Sequence, residues 1–263
     1  MIVDANVHAS LDGSWFGTGH DARLERLLGE MDAAGVDRAV LTGLVGQLPT
    51  DAVLALCEQA AGRLLPVGAF DPCAHPSEGD VRAAARRELA GKGLLGVKLH
   101  PRLGRYDVLD DRVLALVDEV ASWDEPFAVW ICTFLHVPGL RPRSGPVEAL
   151  CEIVGRAPEI PFVLLHGCGP DLLRLATAVR SAPNAFLDLS YTITRFRDTS
   201  VALDLDHLLA TFDQRLVYGS DFPEGNIAAT VQLLEERTAT AHPAALPAVM
   251  GGNICRALGL EAG

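Results

Sequence analysis

Short apolar runs rich in Val, Leu and Ile alternate along the chain with amphipathic stretches, the pattern of repeated βα units around a parallel sheet. Eight such runs can be counted, over residues 2–8, 38–44, 64–70, 94–100, 126–133, 161–167, 185–190 and 215–221. Between them lie helical stripes: Leu24, Leu27, Leu28 and Met31 recur at helical spacing, as do Val113, Leu116, Val117 and Val120. Eight strands close a barrel, and α/β barrels of about 250 residues commonly form one domain. The pattern therefore predicts a single-domain (β/α)8 TIM barrel over residues 1–263. A doubly wound open sheet shares the alternation, but it gives no reason for polar residues to end so many strands at once.

Residues two apart on a strand point the same way, so parity assigns faces. On the first strand it groups Asp4, Asn6 and His8 against Val3, Ala5 and Val7. With the apolar set against the helices, Asn6 and His8 look into the barrel. The same rule pairs Lys98 with His100, Trp130 with Cys132, Leu164 with His166, Asp188 with Ser190, and Gly219 with Asp221. Residues 13–20 and 136–146, rich in Gly and Pro, follow the first and fifth strands and are expected as loops over the mouth.

Composition narrows the partners. Hydrophobic residues make up 49% and charged residues 21%, enough for a core and unlike a disordered chain. A formal charge of −12 opposes any extended grip on a phosphate backbone, so nucleic acid is not an expected partner. The residues that open the chain lack the pattern of a signal peptide. No apolar run reaches the roughly 18 residues that cross a bilayer, so a membrane is not an expected partner either, and a cytoplasmic protein is the simplest expectation. Cysteines 57, 73, 132, 151, 168 and 255 show no CxxC spacing, as expected of reduced thiols.

His8, His166 and Asp221 come from strands one, six and eight, which a closed barrel brings to one mouth. Imidazole and carboxylate are ligands that zinc prefers, and a bound water with an open coordination position is acidified to a pKa of about 7. The plain alternative is a pair of hydrogen-bonded core histidines and a helix-capping aspartate.

The chain resembles the amidohydrolase superfamily, in particular the amidohydrolase-related group of the aminocarboxymuconate-semialdehyde decarboxylase type. DANVH (4–8), GVKLHP (96–101), LLHGCG (164–169), LDLS (187–190), YGSDFP (218–223) and GGNICRALGL (251–260) carry the resemblance in family order. GSDFP and GVKLHP are the most specific of these strings. The resemblance implies a pair of metal ligands on the first strand, a histidine ligand on the fifth, an aspartate ligand on the eighth and a catalytic histidine on the sixth. His8 and Asp221 match ligands, and His166 matches the acid or base. Two positions depart from the pattern: Asn6 stands where the first histidine of the pair is expected, and Cys132 where the fifth-strand histidine is expected. A deprotonated cysteine is a good zinc ligand and asparagine a poor one. The expected site is thus one divalent metal, zinc, on His8, Cys132 and Asp221, or else no metal at all, as in metal-free lactonase relatives. His100 joins His166 and Asp221 as a catalytic candidate, while Asn6, Lys98, Trp130 and Ser190 are expected to bind substrate. Asp71 and Thr42 are further pocket candidates.

His20, His136, Arg141, Arg143, Arg195 and Arg197 lie on expected mouth loops, where a guanidinium suits a substrate carboxylate. His75, His207 and His242 lie away from the strand ends. The partner expected is a small molecule, and the family's habits imply a homodimer. The leading expectation is hydrolysis of an amide, lactone or cyclic imide by a water that Asp221 deprotonates, with His166 as acid. The rivals are a non-oxidative decarboxylase or other lyase, and a barrel repurposed for rearrangement, cyclisation or binding.

Overall fold

A computed structural model describes residues 1–136 and 138–261. Eight strands form one parallel sheet in sequential order: β1 (Val3–Val7), β2 (Arg38–Thr42), β3 (Leu64–Ala69), β4 (Gly96–Leu99), β5 (Ala128–Cys132), β6 (Phe162–Leu165), β7 (Ala185–Asp188) and β8 (Leu216–Val217). Backbone bonds close the ring between β1 and the chain around β8: Ala5 N donates to Tyr218 O at 2.8 Å, Asp221 N to Asn6 O at 2.9 Å, and His8 N to Phe222 O at 2.8 Å. The helices that follow the strands in turn are α1 (Leu24–Ala34), α2 (Thr50–Gln59), α3 (Glu78–Glu88), α4 (Asp111–Ala121), α5 (Pro146–Arg156), α6 (Leu172–Ala178), α7 (Val201–Thr211) and α8 (Ile227–Ala241). The fold is the (β/α)8 barrel that the alternation predicts, and all eight expected strands are present.

Local chemistry starts and stops these elements where the barrel needs it. Ser77 Oγ accepts from Asp80 N at the start of α3, Asp110 Oδ1 from Arg112 N at α4, and Asn226 Oδ1 from Ala229 N at α8. Gly35 ends α1 in the left-handed region, at φ 68°. The expected helical stripes meet the sheet: Leu24, Leu27 and Met31 of α1 and Val113, Leu116, Val117 and Val120 of α4 are buried, with Leu28 half-buried beside them.

Alternate strand positions divide the apolar residues in two. Ala39, Leu41, Val97, Leu99, Val129 and Ile131 pack outward with the helices. Val3, Ala5, Val40, Val67, Trp130, Val163, Leu165, Phe186 and Val217 fill the interior, joined by Ile254 and Cys255 of the closing helix α9 (Asn253–Ala257). Asn253 ties that helix to the barrel, donating from Nδ2 to Asp213 O at 2.6 Å and Leu216 O at 2.7 Å.

Two parity expectations are corrected here. The β1–β2 register shifts between Asp4 and Val7, so Ala5 packs inside while the next residue, Asn6, also turns to the mouth, and Val7 packs outside. Asp4 is therefore not grouped with Asn6. Its carboxylate reaches sideways instead, accepting from Ser220 N at 3.0 Å and Asn6 N at 3.1 Å. A bulge of this kind inserts one residue and reverses the alternation beyond it. On β6, Leu164 packs with the shell and Leu165 with the interior. His166 is brought to the mouth by a left-handed backbone turn, φ 62°, not by shared parity with Leu164.

Candidate active site

The strand ends converge at one mouth and form two linked groups of polar side chains. In the first, His8 Nδ1 lies 2.8 Å from Thr42 O, and its Nε2 faces Lys98 Nζ at 3.0 Å and Asp221 Oδ1 at 3.7 Å. The carbonyl partner places the ring proton on Nδ1 and leaves Nε2 as an acceptor. Asn6 Nδ2 donates to Asp221 Oδ1 at 2.8 Å, and its Oδ1 accepts from Thr42 Oγ1 at 2.8 Å. Burial, and then the Lys98 charge, hold the His8 pKa well below the usual histidine range, so the ring is neutral. Burial also lowers the Lys98 pKa, against the pull of Asp221.

The second group surrounds His166. Its Nδ1 lies 3.0 Å from Ser190 Oγ, and its backbone N donates to Asp188 Oδ1 at 3.1 Å. Ser190 Oγ donates to that same Asp188 oxygen. The two groups meet where Asn6 Nδ2 donates to Ser190 Oγ at 3.3 Å. Burial disfavours charge on His166, but the Asp221 carboxylate and the Cys132 thiol outweigh it and push its pKa up to about 9. Burial likewise opposes ionisation of Cys132, yet electrostatic attraction to His100, followed by hydrogen bonding to His100 and His166, leaves the thiol well below its ordinary pKa. Burial raises the Asp188 pKa.

Backbone strain is concentrated at these strand ends. His166, Tyr191 and Asp221 all take left-handed φ angles, of 62°, 62° and 61°. Such conformations persist in non-glycine residues where surrounding bonds over-determine them. Thr192 Oγ1 donates to His166 O at 2.6 Å, and Asp221 N to Asn6 O at 2.9 Å.

Aromatic side chains cover both imidazoles, and the sequence reading did not single them out. Trp15 stacks on His8 with ring centroids 4.9 Å apart and is pinned by its Nε1 bond to Glu224 Oε1 at 3.0 Å. Phe134 stacks on His166 at 5.0 Å, with Tyr191 edge-on to both. The signal available was position alone: each follows closely after a strand that ends in the site.

Asp221, 14% exposed at its side chain, opens on a cavity of about 490 Å³ lined also by His20, Tyr191, Arg195, Arg197 and Glu224. A more apolar cavity of about 360 Å³ is lined by Tyr106, Leu135, His136 and Leu140, in the expected 136–146 loop region, of which residue 137 lies outside the described residues. Tyr106, which lines that cavity, accepts at Oη from His100 N at 3.1 Å, and His100 Nδ1 accepts from Leu103 N at 3.3 Å.

Several expected residues have other surroundings. Trp130 is fully buried in the barrel interior, its Nε1 donating to Ala5 O at 3.2 Å, beneath the mouth. Lys98 faces His8, and Ser190 holds Asp188 and His166. Asp71 Oδ1 accepts from Cys73 N at 2.9 Å and borders a separate cavity with Phe70 and His75. Arg143 is tied to Leu109 O and Asp111, both at 2.7 Å. Of the four loop arginines, Arg195 and Arg197 line the cavity at Asp221.

The expected zinc ligands do not fit an ion in this arrangement. Among the described residues no three His, Cys, Asp or Glu side chains converge as a ligand set. Cys132 has no hydrogen bond or ion pair with His8 or Asp221 among the described residues. His8 Nε2 and one oxygen of Asp221, Oδ1, already receive N–H groups from Lys98 and Asn6. Donors, not free lone pairs, point at His8 Nε2 and Asp221 Oδ1.

No helix among the described residues is long and apolar enough to cross a membrane. A comparison with curated proteins gives no match. Among solved structures, the barrel is similar to an uncharacterised TIM-barrel protein of Bordetella bronchiseptica, at TM-score 0.79 and 19% identity over 98% of each chain. It is also similar to a zinc-bound amidohydrolase of Burkholderia multivorans, at TM-score 0.69 and 20% identity over 99% of this chain and 100% of that one. A third similar structure is 2,6-dihydroxybenzoate decarboxylase in complex with 2,6-dihydroxybenzoate, at TM-score 0.70 and 15% identity over 98% of each chain. These likenesses establish the shared barrel. The sequence model of the amidohydrolase family matches residues 15–260, beginning just past β1 with its altered ligand pair and taking in the strand ends that carry His166 and Asp221. The chain belongs to the amidohydrolase family.

Proposed function

We propose that the protein is a hydrolase of a small carbonyl-containing molecule, an amide, lactone or cyclic imide, that uses Asp221 and His166 as its acid–base pair. The observation that carries this reading is the position of Asp221: a carboxylate held at one oxygen by Asn6 and opening on the mouth cavity. A water in that cavity gives a proton to Asp221 as its oxygen adds to the substrate carbonyl. His166, charged near neutrality with its pKa raised to about 9, stabilises the oxyanion and then gives its proton to the leaving nitrogen or oxygen as that bond breaks. Transfer of the proton from Asp221 back to His166 restores both groups. Asp221 and Cys132 support the charged state of His166.

One observation favours a second reading. Arg195 and Arg197 line the same cavity and suit a substrate carboxylate, as a decarboxylase requires.

The two reactions separate when lactones, amides, cyclic imides and unsaturated or aromatic carboxylic acids are screened in 18O-labelled water with detection of carbon dioxide. Hydrolysis places one labelled oxygen in the product acid. Asp221→Asn is expected to lower kcat by about 100-fold or more, within the usual range for loss of a general base. Release of carbon dioxide without label in the product, or full activity in Asp221→Asn, overturns the proposal.

A further inference from the structure

Lys98 is one of two lysines in the chain, and it lies inside the barrel, 3% exposed. Its neighbours Val97 and Leu99 pack in the helical shell, so the strand aims Lys98 inward. Burying an ammonium costs several kcal/mol unless partners repay it, and Met or Leu would fill the same space without that cost. The partners are specific. Nζ lies 3.0 Å from His8 Nε2 and 3.4 Å from Thr42 Oγ1. Thr42 fixes the His8 ring from the other side through its carbonyl at 2.8 Å. His8 Nε2 is in turn 3.7 Å from Asp221 Oδ1, which Asn6 holds at 2.8 Å.

A divalent ion at this mouth would gather His8 and Asp221 by accepting their lone pairs and would supply positive charge. Here His8 Nε2 and Asp221 Oδ1 receive N–H groups, and the positive charge is covalently attached to β4. We infer that the Lys98 ammonium takes the place of a metal ion in this chain: it holds His8 through Nε2 while Asn6 holds Asp221, and it keeps a divalent ion out of the space between them. Asn6 completes the replacement as a donor to Asp221, where a histidine would have offered a further ligand. In this role Lys98 is a positioning residue, and the inference stands independently of whether the bound substrate is hydrolysed or decarboxylated.

The test is zinc affinity, read by competition with a chromophoric chelator and by metal analysis of the full chain purified without chelator. Wild-type protein is expected to retain well under one equivalent of zinc and to show no rise in Tm when micromolar zinc is added. Lys98→Met uncovers His8 Nε2, and Lys98→Met combined with Asn6→His adds a ligand. Zinc affinity should rise about 10- to 100-fold across this series, the size of effect that groups around metal ligands commonly exert. Lys98→Arg keeps the charge and should exclude zinc as wild type does, which separates charge from packing. Circular dichroism identifies any variant that does not fold, and in that event the wild-type and Lys98→Arg measurements decide. Stoichiometric zinc in the wild type overturns the inference, as does a folded Lys98→Met that binds zinc no more tightly than wild type. None of these measurements needs a substrate, so failure of the hydrolytic reading leaves them intact.

Discussion

Asp4 offers a test of how the barrel stores electrostatic cost. Its carboxyl is fully buried where β1 meets β8, with Oδ1 held by two backbone N–H groups and Oδ2 without a hydrogen-bond partner. Burial raises its pKa from the ordinary 3.8 to about 7, the bonds from Ser220 and Asn6 only partly opposing the shift. The folded protein therefore holds this proton at pH values where the unfolded chain has lost it. The stabilisation is fully present below about pH 3.8 and is lost as pH rises through about 7. Between pH 5 and pH 8 the loss from this one group is about 2.5 kcal/mol, since each pH step of one costs about 1.4 kcal/mol while only the folded state binds the proton. Asp4→Asn keeps the shape and the Oδ1 acceptor but cannot ionise. Urea unfolding of wild type and variant at pH 5, 6, 7 and 8 gives two profiles, and the variant should gain about 2.5 kcal/mol on wild type from pH 5 to pH 8. Other buried groups titrate in that window, but they are common to both proteins and cancel in the difference. Parallel profiles would refute the reasoning, because Asp4 would then be ionised throughout.

Two further substitutions probe the frame of the site. Trp15→Ala removes a 2% exposed indole from the face of His8 and leaves Glu224 without its donor; a loss of about 3–5 kcal/mol in urea unfolding is expected, and a loss below about 1 kcal/mol would show that the indole is not packed over the ring. Asn253→Ala strips both donors from the carbonyls of Asp213 and Leu216 that tie the closing helix to the barrel; stability should fall by about 1–3 kcal/mol, measured by calorimetry, with an unchanged Tm as the contrary result.

The barrel was legible because its signal is repeated: eight apolar runs, each followed by a helical stripe, leave little freedom in fold class. The trio of His8, His166 and Asp221 was legible for a related reason, since polar residues at strand ends of a closed sheet share a mouth. What parity missed were the places where the chain breaks its own period. The register shift in β1 turns both Ala5 and Asn6 inward, and the left-handed turn at His166 redirects a residue that counting pairs with Leu164. Both are local backbone departures with no distinct residue signature in DANVH or LLHGCG. Trp15 and Phe134 escaped because loop aromatics are placed by the conformation of the loop, which strand periodicity does not encode. The contact between Lys98 and His8 joins residues 90 positions apart, and strand periodicity does not encode which inward side chains meet across the barrel.

Asn6 connects these observations. Read as a ligand position, it is a weakened one, because a neutral amide oxygen replaces an imidazole. In the folded barrel its amide does what an imidazole has no means of doing. One Nδ2 group donates to both Asp221 Oδ1 and Ser190 Oγ while Oδ1 accepts from Thr42 Oγ1. A neutral imidazole has one donor and one acceptor on opposite sides of a rigid ring, whereas an amide has two N–H donors beside a carbonyl oxygen. The residue thereby couples the cationic group of His8, Lys98 and Thr42 to the group of Asp188, Ser190 and His166. Because Asp221 is held through Asn6, its orientation depends on the hydrogen-bond order of both groups. The same substitution that removes an expected ligand supplies the bridge on which a carboxylate can be positioned by donors alone, and this gives Asn6 and Lys98 a shared physical reason for their places in the site.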